Sequence, residues 1–179
     1  MKPFSLILEY AIRTVLVESK HDFGNIQLRA QEPLRSKILS YIADIPDDAL
    51  AEKGREDKPH ITIKYGIHTA DTNQIKTAIS SFKPFSVTLG KISQFENDKY
   101  DVLKVDVTGA DLHKFHKLIS KELECTDTHP EYHPHMTLAY LKTGSGKDFV
   151  DDDYFSGEVI NVSSVVFSDK DSNKTTIQL

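Results

Sequence analysis

One seven-residue segment occurs twice. Pro59-His60-Ile61-Thr62-Ile63-Lys64-Tyr65 and Pro134-His135-Met136-Thr137-Leu138-Ala139-Tyr140 share the pattern Pro-His-x-Thr-(Ile/Leu)-x-Tyr, and the two histidines stand 75 residues apart. Histidine is scarce in most chains, so a chance double match of four residue types at identical offsets is improbable. An internal repeat of this kind points to two related lobes, each giving one strand to a shared cleft.

Strand geometry decides what the repeated residues can reach. Side chains alternate along a strand, so His60, Thr62 and Lys64 are expected on one face and Ile61, Ile63 and Tyr65 on the other. In the second copy His135, Thr137 and Ala139 share a face. The apolar faces need covering by helices, which leaves the His-Thr faces to look into the cleft. Each Pro lacks an amide donor and suits the start of a strand.

A pair of facing imidazoles can act as base and acid in one displacement. Hydroxyls beside them can donate to non-bridging phosphate oxygens, where charge builds as phosphorus becomes five-coordinate. This chemistry needs neither metal nor cofactor, and none is expected.

The rest of the pattern alternates strand and helix. Strands are expected at 25–30, 60–67, 85–95, 100–107, 135–141, 159–168 and 175–179, and helices at 32–42, 72–82 and 111–123. The pair 85–95 and 100–107 reads as a hairpin, residues 44–58 as an exposed loop and 142–147 as a Gly-rich loop. The fold class is α+β, bilobal and mostly antiparallel, with helices on the outer faces of the sheet and a central cleft.

Residues 1–20 read as a helical extension, its apolar positions from Phe4 to Val15 spaced for a helix that docks on the body or on a partner. Residues 21–179 read as a single domain of two lobes. No secretory cleavage pattern or membrane-length apolar run is present, and Cys125 is the only cysteine, so a cytoplasmic protein without membrane attachment is expected. With 22 Lys and Arg against 27 Asp and Glu, the net charge of −5 argues against bulk duplex DNA binding.

The two His-x-Thr motifs resemble those of the 2H phosphoesterase superfamily, which includes RNA 2′,3′-cyclic phosphodiesterases and phage enzymes that destroy cyclic-oligonucleotide immune signals. The resemblance spans roughly residues 25–179 by element order. It implies His60 and His135 as the catalytic pair, Thr62 and Thr137 as phosphate-binding residues, and a bilobal fold with pseudo-two-fold symmetry. The implied substrate is a nucleotide or RNA end, with a 2′,3′-cyclic phosphate or 2′-5′ linkage, or a cyclic di- or trinucleotide. The rival reading is a nucleotide-binding or virion-associated module without turnover.

Lys64, Arg29, Tyr132 and His133 are the further candidates for substrate binding. Lys64 shares the His60 face by parity, and a solvated edge lysine is an equal reading. Gln27, Arg29 and Lys104 have cleft-side parity. A zinc site is the main chemical rival, since His129, His133 and His135 crowd one segment and His113 and His116 lie on one helix. Pro130 and Pro134 keep that segment extended, and the helical pair is expected to face solvent. The run Gly144-Ser145-Gly146-Lys147-Asp148 lacks the leading Gly and the final Ser or Thr of a phosphate loop.

Overall fold

The strands that carry the two repeats are hydrogen-bonded neighbours at the middle of one antiparallel sheet. The structure, a computed structural model, describes residues 22–129 and 131–179. The expected helix within residues 1–20 lies outside the described residues. Those described run β1 (Gly24–Leu28), α1 (Leu34–Asp44), a 3-10 turn (Asp47–Ala49), β2 (Leu50–Arg55), β3 (Ile61–Ile67) and α2 (Thr72–Ile79). β4 (Phe85–Phe95), β5 (Asp101–Thr108), α3 (Ala110–Glu122), β6 (His135–Leu141), β7 (Val159–Val162), β8 (Ser164–Ser168) and β9 (Lys174–Gln178) follow. The strand order is β7-β4-β5-β6-β3-β1-β8-β9, with β2 added on β6.

The order is symmetric about the β6–β3 junction. Each half contains a strand, a helix and a motif strand, β1-α1-β3 in one and β5-α3-β6 in the other. The helices reach across the junction, α1 packing on β6 and α3 on β3 as well as on β4 of its own half. The core is therefore shared between lobes. Ile61, Ile63, Met136 and Leu138 of the motif strands are all fully buried, with Ile38, Leu112, Phe115 and Ile119 from the helices. Phe115 stacks on Phe82 at 4.2 Å, and Phe85 meets both edge-on.

The sheet must curl. Strands β7 and β8 belong to opposite wings, six strand spacings or about 29 Å apart in a flat sheet. Only Ser163 separates them in sequence. One residue spans a little over 3 Å, so the wings bend round until they meet at that residue. This also corrects the single strand expected over 159–168. Its first half pairs with β4 and its second half with β1 and β9.

Residues 44–58 are a second correction, since they contain β2 rather than only a loop. Leu-Ala-Glu-Lys-Gly-Arg carries no apolar alternation, so nothing in its side chains announces a strand. Pairing to β6 and an Arg55 side chain hold it. Arg55 donates to the carbonyls of Ile42 and Ile45 and pairs with Asp47. Helix ends follow local chemistry. Asp71 caps α2 by accepting from the Asn73 amide at 2.9 Å. The Glu32 carboxylate, just before α1, accepts from the Ser36 amide and hydroxyl. No described helix is long and apolar enough to cross a membrane.

Candidate active site

Ile61 and Met136 pair directly across the β3–β6 junction. Continuing that antiparallel register by one residue each way sets His60 across from Thr137, and Thr62 across from His135. Ile61 and Met136 are fully buried, so the neighbouring His and Thr side chains project from the other face, into the cleft. His60 lies close enough to His135 to lower the pKa of the His135 ring.

Strict alternation stops one residue after each Thr. The β1–β3 register shifts between Ile26 and Gln27, leaving Ile63 as the extra residue, and the β5–β6 register shifts between Leu103 and Lys104, leaving Leu138. These two bulges are themselves 75 residues apart. Lys64 consequently pairs with core residue Ile26, and its buried ammonium is bonded to Asp127 on the loop after α3. The expected face shared by His60, Thr62 and Lys64 thus ends at Thr62. The equivalent Ala139 pairs with buried Leu103.

Both imidazoles are oriented in the same way. His60 Nδ1 lies 2.9 Å from the Lys58 carbonyl, and His135 Nδ1 lies 2.7 Å from the His133 carbonyl. A carbonyl oxygen only accepts, so both Nδ1 atoms carry hydrogen and donate. Each neutral ring then has an unprotonated Nε2 free to act in the cleft. Each repeat's Pro explains why. The residue before a Pro is held extended, and in both copies that residue supplies the accepting carbonyl. Burial holds the His135 ring below its ordinary pKa, against the opposing pull of its bond to His133. Lys104 and His60 lower it further, and Asp106 raises it. The hydroxyls of Thr62 and Thr137 are half-buried and unbonded among the described residues.

The halves differ beside their Thr residues. Thr137 is flanked by Lys104 and Thr62 by Gln27. Lys104 is buried, and its ammonium donates to Ser93 Oγ and Asp106 Oδ1, both at 2.6 Å. Ser93 also donates to Asp106 at 2.7 Å. Burial pushes the Asp106 carboxyl up, but the Lys104 and Ser93 hydrogen bonds outweigh it and hold the group below the usual range. Phe95 closes this side, its ring 5.0 Å from His135 edge-on and 4.3 Å from the Lys104 ammonium. Sequence reasoning missed Phe95, Ser93 and Asp106. Their signal is the register of β4 on β5, for Ser93 and Phe95, and of β5 on β6, both set by non-local pairing.

The other candidates have definite places. Tyr132 donates its hydroxyl to the Thr62 carbonyl at 3.1 Å and stacks on His116 at 4.2 Å, strapping the approach to β6 onto β3. His116 is therefore half-buried and not turned to solvent. Burial lowers its pKa, with Lys64 adding to the effect. The exposed His133 ring lies 3.3 Å from Glu131, and its carbonyl orients His135. Arg29 follows β1, and the Leu28–Ile61 register places it beside His60. Among the described residues no three His, Cys, Asp or Glu side chains gather as a metal site. In the Gly-rich loop, the Gly144 amide donates to buried Asp101.

Solved structures share this architecture at low identity. A Thermus thermophilus protein, TT0787, aligns with a TM-score of 0.62 and 12% identity over 88% of this chain and 94% of its own. Escherichia coli LigT, solved with phosphate, aligns at 0.58 and 14% over 90% and 96%. Kluyveromyces marxianus Usb1 aligns at 0.57 and 10% over 89% and 99%. LigT has also been solved with 3′-AMP, and Usb1 with uridine monophosphate. No curated protein matches the sequence. The 2′-5′ RNA ligase superfamily model matches residues 48–150, more than half of the chain and both motif strands. With its two His-x-Thr strands paired at the centre of a curled antiparallel sheet, this chain belongs to the 2′-5′ RNA ligase superfamily and is a 2H phosphoesterase.

Proposed function

We propose that the protein is a metal-independent phosphodiesterase acting on a nucleotide whose ribose 2′-oxygen is bonded to the reacting phosphorus or lies beside it as a free hydroxyl, with His60 and His135 as its catalytic pair. The observation that carries this reading is the mirrored bond from each Nδ1 to the carbonyl two residues upstream. Two Nε2 atoms are thereby offered to one phosphoryl group. His135, kept neutral by burial, is the base. It takes a proton from water as the water oxygen bonds to phosphorus. The P–O2′ bond of a 2′,3′-cyclic phosphate breaks, and His60, as imidazolium, gives its proton to the leaving oxygen. Thr62 and Thr137 donate to the non-bridging oxygens, and Lys104 adds a fixed positive charge beside Thr137. The phosphate and nucleotides bound by LigT and Usb1 support this class of ligand.

The substrates to be compared are RNA ends with 2′,3′-cyclic phosphates, 2′-5′ linked oligoadenylates and cyclic di- and trinucleotides, the last being immune signals of the kind a phage enzyme destroys. We assign the activity to residues 21–179 and its setting to the cytoplasm, with residues 1–20 as an appended docking segment. The test is a turnover screen of these substrates in EDTA. Cleavage of one class, retained on deleting residues 1–20, supports the reading. No cleavage of any, or cleavage that requires added metal, overturns it.

A further inference from the structure

Arg29 stands out among the charged side chains outside the catalytic quartet. Its Nε and Nη2 atoms are both buried and neither has a hydrogen-bond partner. Those two N–H groups lie on one edge of the guanidinium and form the parallel fork that grips a carboxylate or phosphate through two oxygens. A buried cationic donor pair left unpaired costs free energy, which an anion would recover. The side chain lines two cavities, one of about 310 Å³ beside Asn161 and Ser163 where the wings of the sheet meet, and one of about 230 Å³ with Arg35, Lys58, Gln31, Ala30 and Pro59, which is the one that adjoins the motif strand. Arg35 is half-exposed and paired with Glu32, and the exposed Lys58 lies near Asp57. Even with those two acids counted, Arg29 adds an uncompensated positive charge to the wall.

The cavity's place gives the charge a purpose. Pro59 precedes His60, and the Lys58 carbonyl orients the His60 ring. The pocket therefore adjoins the His60 side of the cleft, opposite Lys104. Pseudo-symmetry puts the Lys104 and Asp106 pair beside one Thr-His face and lone Arg29 beside the other.

We propose that Arg29 forms a second phosphate subsite, which holds the phosphate one nucleotide away from the reacting one. The protein then selects oligonucleotides, linear or cyclic, over mononucleotides. This rests on the phosphodiesterase reading and names its substrate class.

Binding of ligands that cannot react through a 2′-hydroxyl keeps the two ideas separable. The probes are 2′-deoxyadenosine 3′-phosphate, the linear deoxydinucleotide ending in a 3′-phosphate, and the cyclic deoxydiadenylate, each titrated into the full chain by calorimetry. The expected result is that at least one two-phosphate ligand binds about 10- to 100-fold more tightly than the one-phosphate ligand, and that Arg29→Gln removes this advantage. Which of the two gains shows whether the second phosphate comes from a linear or a cyclic chain. Arg29→Met, without ligand, is expected to melt higher than wild type, whereas a guanidinium retained for folding would leave a variant that melts lower. Arg35→Gln, at the exposed rim, should narrow the advantage only slightly. An equal affinity for one and two phosphates in the wild type, or an advantage that survives Arg29→Gln, overturns the subsite alone. No binding of any probe overturns the subsite, and the phosphodiesterase reading falls with it only where the turnover screen in EDTA is also silent.

Discussion

Gly66 offers a sharp test of how the first motif strand is held. It lies at φ +94°, a backbone region that L side chains avoid. A Cβ there would stand 1.9 Å from the Thr126 carbonyl oxygen and 3.0 Å from its carbon. The Thr126 amide also donates to the Gly66 carbonyl at 2.8 Å, so the two backbones are clamped. In Gly66→Ala the loop must retreat by about 1 Å or more. The backbone strain costs about 1–3 kcal/mol, and the broken hydrogen bond about 1 kcal/mol more. A total of about 2–4 kcal/mol corresponds to a Tm about 4–16 °C lower for a chain of this size. Gly54 is the control, because it also has positive φ (66°) but nothing within 4 Å of an added Cβ. Gly54→Ala should cost only the conformational part, about 1–2 kcal/mol. Thermal unfolding by circular dichroism measures both. Equal losses in the two variants, or a Gly66→Ala change below 1 kcal/mol, would refute the close approach of β3 to the loop after α3.

Other expectations concern charge and the quartet of His and Thr. The acid limb of the kcat/KM profile should lie below the ordinary imidazole range, because burial keeps His135 neutral. Lys104→Met removes a charge that lowers the His135 pKa and moves that limb to higher pH. Asp106→Asn removes one that raises it and moves the limb lower; shifts of the same sign would contradict the arrangement. Thr62→Val and Thr137→Val each keep the strand shape, and should lower kcat about 10²–10³-fold with circular dichroism unchanged. Asp127→Asn strands the buried Lys64 ammonium and should lower Tm, while Lys64→Met in addition restores it. Lys64 holds the Asp127 pKa below its ordinary value, so the stabilisation exists above that value and fades as pH falls through the lowered one. Unfolding followed from pH 5 downward should therefore show a smaller loss in the double variant.

What could be read from the residues alone was set by how locally each feature is determined. The repeat announces two equivalent strands, and the helices over Leu34–Asp44 and Ala110–Glu122 show their buried faces in the spacing of Ile38 and Ile42, and of Leu112, Phe115 and Ile119. His60, Thr62, His135 and Thr137 fall together because one period-2 rule holds on both sides of a single register. Lys64 departs from that rule because a bulge at Ile63 reverses parity, and a bulge is a property of two strands rather than one. Phe95 and Asp106 reach the site through the β4–β5–β6 ladder, joining residues about 30 to 40 positions apart. Strand β2 was illegible because its pairing, not its side chains, holds it in the sheet.

Two imidazoles acting on one phosphoryl group leave a signature in the single-turnover rates of wild type, His60→Ala, His135→Ala and the double variant, measured in EDTA on the substrate class that the wild type cleaves. Each single variant should lose about 10²–10⁴-fold. Because the pair works as a unit, the double variant should lose much less than the product of the two. A single variant that keeps nearly wild-type rate, or losses that multiply fully in the double variant, would contradict it.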